Sequence, residues 1–288
     1  MIARLIEKDE LSWNLSINDV FFDVDGLHAG WADVTLVQLL THTSGATVDF
    51  PFSVRRKKPA EGLERKIARE SAVINTLKNE PMSAPGSEFS YSNVGYTIAG
   101  VMAEKKTGLD WEELVRREVF NPLQLLSGGF GPPQDSNEAL GQPRGHKRIL
   151  GFTVAAGLQD DNTPIMGPAG SIHLSLKDLA LFTNEHLQGE LGHGTLLNAN
   201  TFRKLHSPIL NRNAYGWIVS SRKQLGVGSV IWHSGSNAMW YALVAFIPGI
   251  NTIFVVTSND GNIESAQQSA WNIVNRMVPA LKKSVNEN

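Results

Sequence analysis

The sequence predicts an α+β fold, an antiparallel sheet flanked by helices and joined to a mainly helical region. Two observations predict it. Segments with helical spacing of apolar residues crowd the chain up to about residue 190. Four β-rich runs (Tyr215–Ser220, Val227–His233, Met239–Ile247 and Thr252–Thr257) then follow one another, separated by turn residues, and a single helical pattern closes the chain at about Ile263–Lys283. Helices first, a meander next and one last helix is the order expected when helices pack against a sheet. The expectation is a single domain over 1–288, with a helical region to about 190 and the meander with its helix at about 210–284.

The elements follow in order. Ile2, Leu5 and Ile6 are spaced as one face of a helix, which starts with no capping residue before it. This is the pattern of a helix cut in its middle, or of a frayed terminal helix. Thr35 caps a short helix through Leu39-Leu40, and Gly45 is a stop beyond it. Residues 46–65 carry Arg55-Arg56-Lys57-Lys58 and read as a surface loop; a charge run of this kind is ordinarily a solvated face, and no partner is assigned to it. An amphipathic helix is expected over 68–79. The turn-rich stretch Pro81–Asn93 leads into a helix with small residues at Ala99, Gly100 and Ala103, ended by Gly108. Asp110-Trp-Glu-Glu113 resembles a capping box for a helix to about Phe120, where Asn121-Pro122 stops it. Residues 127–166 read as irregular with short strands. Ser175-Leu-Lys-Asp178 opens a helix to about Leu187, and Pro248-Gly-Ile-Asn251 is a turn between the last two strands.

Composition narrows the chemistry. With 288 residues, 42% of them hydrophobic, the chain is long enough to bury a sizeable core. A net charge of −2 gives no bulk attraction to nucleic acid or to an anionic membrane. The absence of cysteine excludes disulfides, a thiolate nucleophile and cysteine-ligated metal. The eight histidines show no metal-ligand spacing, and neither a phosphate-binding Gly-rich loop nor a Gly-x-Ser-x-Gly elbow occurs, so no cofactor or metal is expected. No apolar run reaches the roughly 18 residues of a membrane span, and the acidic N-terminus is not a secretion signal. The sequence specifies no oligomeric state.

Three short motifs can carry chemistry. Tyr91-Ser-Asn93 lies at the mouth of a helix. A tyrosine near a cation can act as a general base if its pKa falls, and an asparagine can orient a substrate amide. The plainer reading is a turn with Asn93 as helix cap. His233-Ser234-Gly235-Ser236 ends a β-run, where glycine lets a substrate approach and a strand N–H such as that of Ser236 can donate to an oxyanion. The plainer reading is a hairpin turn, and His28-Ala-Gly30 fits His-x-Gly equally well. His42, in Leu39-Leu-Thr-His-Thr-Ser-Gly45, reads chiefly as a histidine that fixes a turn through the backbone.

Taken in order, Leu39–Gly45, Pro85-Gly86 ahead of Tyr91-Ser-Asn93, Gly170-Ser-Ile-His-Leu-Ser-Leu-Lys-Asp178, Tyr215-Gly-Trp217 and His233-Ser-Gly235 resemble the serine β-lactamase and penicillin-binding superfamily. The style is that of class C enzymes, D,D-peptidases and family VIII esterases, and the likeness runs from Met1 to about Asn275. The resemblance implies a β-lactamase/transpeptidase-like fold and a serine hydrolase working through an acyl-enzyme on a small-molecule ester, a β-lactam or a D-alanyl peptide. It implies Tyr91 as base and His233 in place of the strand lysine. Asn93, Ser234, Gly235 and Ser236 would be substrate-binding, the Ser236 N–H supplying half of an oxyanion hole. The family's Ser-x-x-Lys would lie one to two dozen residues upstream of a segment like Ile2–Lys8, so the nucleophile and the N-terminal elements of the fold are expected to be missing. A misplaced start, a cloned fragment and a true short form all fit that expectation. An export signal, and with it a periplasmic or secreted location, would belong to the same upstream segment. Ser220-Ser-Arg-Lys223 matches the letters of the motif but falls between β-runs, where the motif needs a helix start. Without the missing elements one strand edge is uncovered and stability is expected to fall; the chain alone is expected to lack turnover. The rival readings are a catalytically silent ligand-binding module and an interaction protein that dimerises with concentration.

Overall fold

The computed structural model describes residues 1–133, 142–221 and 226–286. The helices are α1 (Ile2–Glu7), α2 (Ile17–Phe21), α3 (Leu36–Leu40), α4 (Phe52–Arg55), α5 (Leu63–Leu77), α6 (Asn93–Thr107), α7 (Trp111–Val115), α8 (Gly167–Gly170), α9 (Leu176–Leu191), α10 (Ala199–Leu205) and α11 (Ile263–Asn286). The strands are β1 (Gly129–Phe130), β2 (His146–Ile149), β3 (Phe152–Ala155), β4 (Ile172–His173), β5 (Ile218–Ser221), β6 (Ser229–Ser236), β7 (Tyr241–Ile247) and β8 (Thr252–Ser258). The mixture of helices with antiparallel sheet is the α+β class expected. Two compact units result. The first holds Met1–Gln124, Asn162–Ile172 and Ile209–Gly216; the second holds Leu125–Asp161, His173–Pro208 and Trp217–Asn288.

The first unit is built around α6, whose Val94, Ile98, Val101 and Met102 are buried among Phe21, Trp31, Leu36, Leu39, Val73 and Leu77. Gly100 lets α8 approach: a Cβ there would stand 2.5 Å from Pro168 Cγ. α3 starts at Thr35, the cap its sequence suggests, and Gln38 completes a reciprocal box that the sequence reading does not include. The Asp110 box does not form. Asp110 makes no side-chain cap bond and instead lies 3.5 Å from Lys66 Nζ. The helix that begins there passes after α7 into a π-helical turn, Arg116–Phe120, which places the Glu118 side chain inside. The loop expected at 46–65 holds the single turn α4, and α5 begins at Leu63, five residues earlier than its apolar periodicity suggests.

Two charged clusters are buried in this unit. Arg69 on α5 is fully buried and reaches Glu104 on α6 at 2.5 Å and Glu112 on α7 at 2.6 Å, while its Nε donates to the Ile165 carbonyl. Burial pushes the Glu104 carboxyl up. Glu112, also desolvated, is held down by the Arg69 charge and hydrogen bonds. Glu118 is buried too, and burial opposes its ionisation. Hydrogen bonds from Arg4, Lys8 and Arg117 win and hold it at about 2. A carboxylate depressed in the folded state stabilises above its unfolded pKa, and that stabilisation is lost as pH falls through the folded value. The melting temperature is therefore expected to decline between about pH 4.5 and 2, with on the order of 3 kcal/mol riding on Glu118. Glu118→Gln should remove that part of the slope; an unchanged slope would sink the assignment.

The second unit is a meander, β5-β6-β7-β8, antiparallel throughout. One face of β7 (Tyr241, Leu243, Ala245, Ile247) packs against Ala266, Ala270, Val274 and Val278, a four-residue repeat along α11. The other face carries Phe246, whose ring lies 5.2 Å from Trp217 and 4.9 Å from His206. There α9 supplies His186, bonded through Nδ1 to His206 Nε2 at 2.9 Å, and His206 Nδ1 reaches Glu190 at 2.8 Å. Burial and the neighbouring His206 push the His186 imidazole well below its ordinary value, so it is a neutral core histidine. α9 begins on Ser175 as expected, with only half a box, because the Asp178 carboxylate takes the N–H and hydroxyl of Ser127.

Candidate active site

Tyr91 and Asn93 belong to the first unit. The turn after α3 exposes its polar groups to a second strap rather than to water. His42 has φ 58°, Gly45 has φ 75°, and Thr41, His42, Thr43 and Ser44 are all buried. Their backbone is laced to the turn-rich segment that precedes α6: Met82 N–H donates to Gly45, Gly86 N–H to Thr43 and Ser90 N–H to His42. The His42 ring completes the join. Its Nδ1 accepts the Ser92 N–H at 3.1 Å, and the ring lies 4.5 Å from Tyr91 and 4.9 Å from Tyr96, with Phe89 edge-on. A nitrogen that accepts carries no proton, so the neutral ring holds its proton on Nε2. His42 thus fixes the turn, as its sequence suggests, and it also forms the platform under Tyr91.

Ser92, not Asn93, caps α6. Its hydroxyl accepts from Gly95 N–H at 2.8 Å and donates to the Thr47 carbonyl at 2.6 Å. Asn93 is released from that duty. Its backbone N–H reaches the Val48 carbonyl, and its side-chain amide donates to Asp49 at 2.7 Å. Tyr91 is 44% exposed, so its phenol is open to solvent while its ring is fixed. Partial burial and the Asp49 charge push its pKa up, opposite to the fall that a base requires. Asp49 and the aromatic box of Phe89 and Tyr96 carry no motif of their own; only their contacts mark them.

His233, Ser234, Gly235 and Ser236 belong to the second unit. They are not a hairpin turn but the last four residues of β6, in register with Val244, Leu243, Ala242 and Tyr241 of β7. Alternation along the strand puts Trp232, Ser234 and Ser236 on one face, where Trp232 meets Trp271 of α11 at 5.0 Å, and His233 and Gly235 on the other. His233 is half-buried, and desolvation pushes its imidazole below the ordinary value. A Cβ at Gly235 would meet nothing within 4 Å, so internal packing does not demand a glycine there. The Ser236 hydroxyl is spent on the turn: it donates to Trp240 O at 2.6 Å and accepts from Ala238 N–H, leaving its backbone as the group of interest. The competing His28-Ala-Gly30 is different in kind, a histidine that accepts the Gly30 N–H and caps one turn of 3₁₀ helix.

Ser220 lies on β5, 6% exposed, and its hydroxyl accepts from the Trp232 indole at 3.0 Å. It is a strand residue with its oxygen engaged, whereas the sequence places the motif on a turn between β-runs; neither is a helix start, and Arg222 and Lys223 lie outside the described residues. Among the described residues no cluster of His, Asp or Glu is arranged to hold a metal ion. No described helix is long and apolar enough to cross a membrane.

Comparison with known proteins bears on the fold and the family. Penicillin-binding protein 4 of Amycolatopsis lactamdurans is 24% identical over 279 residues, covering 91% of this chain and 69% of that protein. An unguisins hydrolase of Aspergillus campestris (strain IBT 28561) is 22% identical over 262 residues, 87% of this chain; the chain spans about half of that relative, 47% of its length. Among solved structures, a penicillin binding protein from Bacillus halodurans superposes with a TM-score of 0.72 at 22% identity, covering 95% of this chain and 80% of that one. A class C beta lactamase from Rhodobacter sphaeroides gives 0.72 at 16% identity, covering 96% and 81%. These likenesses establish a β-lactamase/transpeptidase-like fold. Residues 1–276 match the family described as Beta-lactamase, and the chain belongs to that family.

Proposed function

We propose that this chain carries the base and the substrate strand of a serine hydrolase that transfers an acyl group to water. A serine hydroxyl on a Ser-x-x-Lys segment attacks the substrate carbonyl and gives its proton to the Tyr91 oxygen. Tyr91 returns the proton to the leaving group, and water then cleaves the acyl-serine by the same exchange. Asn93 positions the substrate amide, Ser234 and Gly235 border the substrate, and the Ser236 N–H stabilises the oxyanion. The single-domain reading of 1–288 belongs to this proposal, and the match over 1–276 supports it.

The observation that carries it is the fixed, half-exposed Tyr91 on its His42 platform beside Asn93. A raised pKa makes Tyr91 a phenol at neutral pH, so it becomes a base only where a cation offsets Asp49 and burial; the lysine of Ser-x-x-Lys is suited to that work. Desolvated His233 is neutral at pH 7 and attracts a carboxylate less than lysine does, which favours an ester or peptide over a β-lactam. The relatives named as hydrolase and penicillin-binding protein, and a neighbour named as a D-stereospecific amidohydrolase from Streptomyces, are in keeping with such substrates.

The test is intact-mass spectrometry of the 288-residue chain after incubation with a penicillin and, separately, with an activated short-chain ester. No acyl adduct is expected, because the only Ser-x-x-Lys in its letters begins on a strand. A stoichiometric adduct on one serine would refute the assignment. Saturable binding of a D-alanyl peptide with no adduct from a chain extended to include Ser-x-x-Lys would favour a silent binding module instead.

A further inference from the structure

The run Arg55-Arg56-Lys57-Lys58 has no part in the chemistry above. The structure gives it an unusual setting. Elsewhere in the first unit most cations are paired with carboxylates: Arg4 and Lys8 with Glu118, Arg65 with Glu112, Lys66 with Asp110, Arg69 with Glu104 and Glu112, Lys105 with Glu70, Arg116 with Glu61 and Arg117 with Glu10. Arg55, Arg56 and Lys57 are exposed and hold no carboxylate among the described residues. Like charges in succession repel one another, and among the described residues no carboxylate pairs with Arg55, Arg56 or Lys57 to offset that repulsion.

Immediately before them, on the single turn α4, Phe52 is 70% exposed, and Val48 four residues earlier is 53% exposed. Phe52 thus leaves most of its ring in water. The segment is nonetheless held in place. Phe50 and Pro59 are buried at its two ends, the Lys57 carbonyl accepts from the Thr163 hydroxyl at 2.6 Å, and Lys58 Nζ donates to the Asn162 carbonyl at 3.0 Å. The protein thus presents an aromatic ring and three cations without a carboxylate partner among the described residues, on an anchored segment.

We propose that Phe52 with Arg55, Arg56 and Lys57 is a docking site for an anionic lipid surface. The cations meet lipid phosphates and carboxylates, and Phe52 enters the boundary between headgroups and acyl chains, as in peripheral proteins that combine a basic patch with an apolar anchor. Charge complementarity selects this occupant. A second copy of the chain would bring like charges together, and a nucleic acid would leave Val48 and Phe52 without an apolar partner unless a base stacked on the ring.

Vesicle co-sedimentation tests it, using the whole 288-residue chain with phosphatidylcholine vesicles and with vesicles in which about a third of the lipid is phosphatidylserine. Binding is expected to the anionic vesicles only, and to weaken with salt. The triple variant Arg55→Gln/Arg56→Gln/Lys57→Gln should lower the apparent affinity by about tenfold or more. Phe52→Ser should lower it severalfold while keeping the salt dependence. The control Lys78→Gln/Lys106→Gln, which removes charge elsewhere on the surface, should bind as the parent does. Unchanged near-ultraviolet circular dichroism shows that each variant is folded. Equal binding to neutral vesicles, a triple variant that binds like the control, no binding by the parent, or equally tight binding to a DNA duplex would each overturn the proposal. So would a concentration-dependent dimer that the triple substitution abolishes in the absence of lipid.

Discussion

Tyr91→Phe, made in a form that carries the Ser-x-x-Lys segment, is expected to lower kcat/KM for an activated ester by about 10²–10⁴-fold, the usual worth of a positioned proton-transfer group. The loss should fall on kcat with KM nearly unchanged, because the ring, its His42 platform and Asn93 all remain. Stability should hardly change, since the phenol is open to solvent and the deleted oxygen is no part of the core. The pH profile supplies a second readout. Asp49 and partial burial both resist ionisation of Tyr91, so replacing Asp49 by asparagine should shift the acidic limb of the pH profile, where Tyr91 becomes protonated, toward lower pH. Activity of Tyr91→Phe within about tenfold of the parent would remove Tyr91 from the role of base.

The largest expected effect on stability belongs to Arg69→Met. It leaves Glu104 buried without its cation, Glu112 with Arg65 alone, and the carbonyls of Pro164 and Ile165 without their donor. Breaking a buried ion pair from one side costs about 3–5 kcal/mol, a large share of the 5–15 kcal/mol of an ordinary domain. Urea denaturation should show a lower midpoint with an unchanged slope. The triple change Arg69→Met/Glu104→Leu/Glu112→Leu should recover part of the loss, because only Arg65, 13% exposed at its side chain, then lacks its carboxylate. A single variant as stable as the parent would mean that water reaches these carboxylates.

The contrast between these two sites shows what a sequence displays. The meander was legible because β-branched runs broken by turn residues have no other good reading, and β5 to β8 lie within three residues of where those runs end. Tyr91, Asn93 and His233 stand out in the sequence only through the order and spacing of short motifs, and their roles are proposals. The charge state of Tyr91 was not legible. It depends on Asp49, forty-two residues away in the chain and brought close by one Asn93 hydrogen bond. Arg69 was invisible for a similar reason. An arginine on an amphipathic helix reads as a surface residue, and its partners stand 35 and 43 residues along. The Asp110 box failed because a competing lysine arrives from another helix, and α10, seven residues with only Phe202 buried, has too short a period to announce itself. The π-helical turn that buries Glu118 follows from tertiary charge pairing, which propensities do not encode.

The strand β8 has a consequence for the handling of this protein. It pairs with β7 on one side and, among the described residues, with no strand on the other. Its sequence, Thr252-Ile-Phe-Val-Val-Thr-Ser258, contains no charge and no proline and is rich in β-branched residues. Those are the features of a segment that stacks in register with copies of itself into fibres. Storage life should therefore be governed by molecules in which this strand is briefly uncovered, with loss that accelerates with concentration and can be seeded by material already lost. A single lysine at an outward position of β8 would lengthen it more than any gain in overall stability.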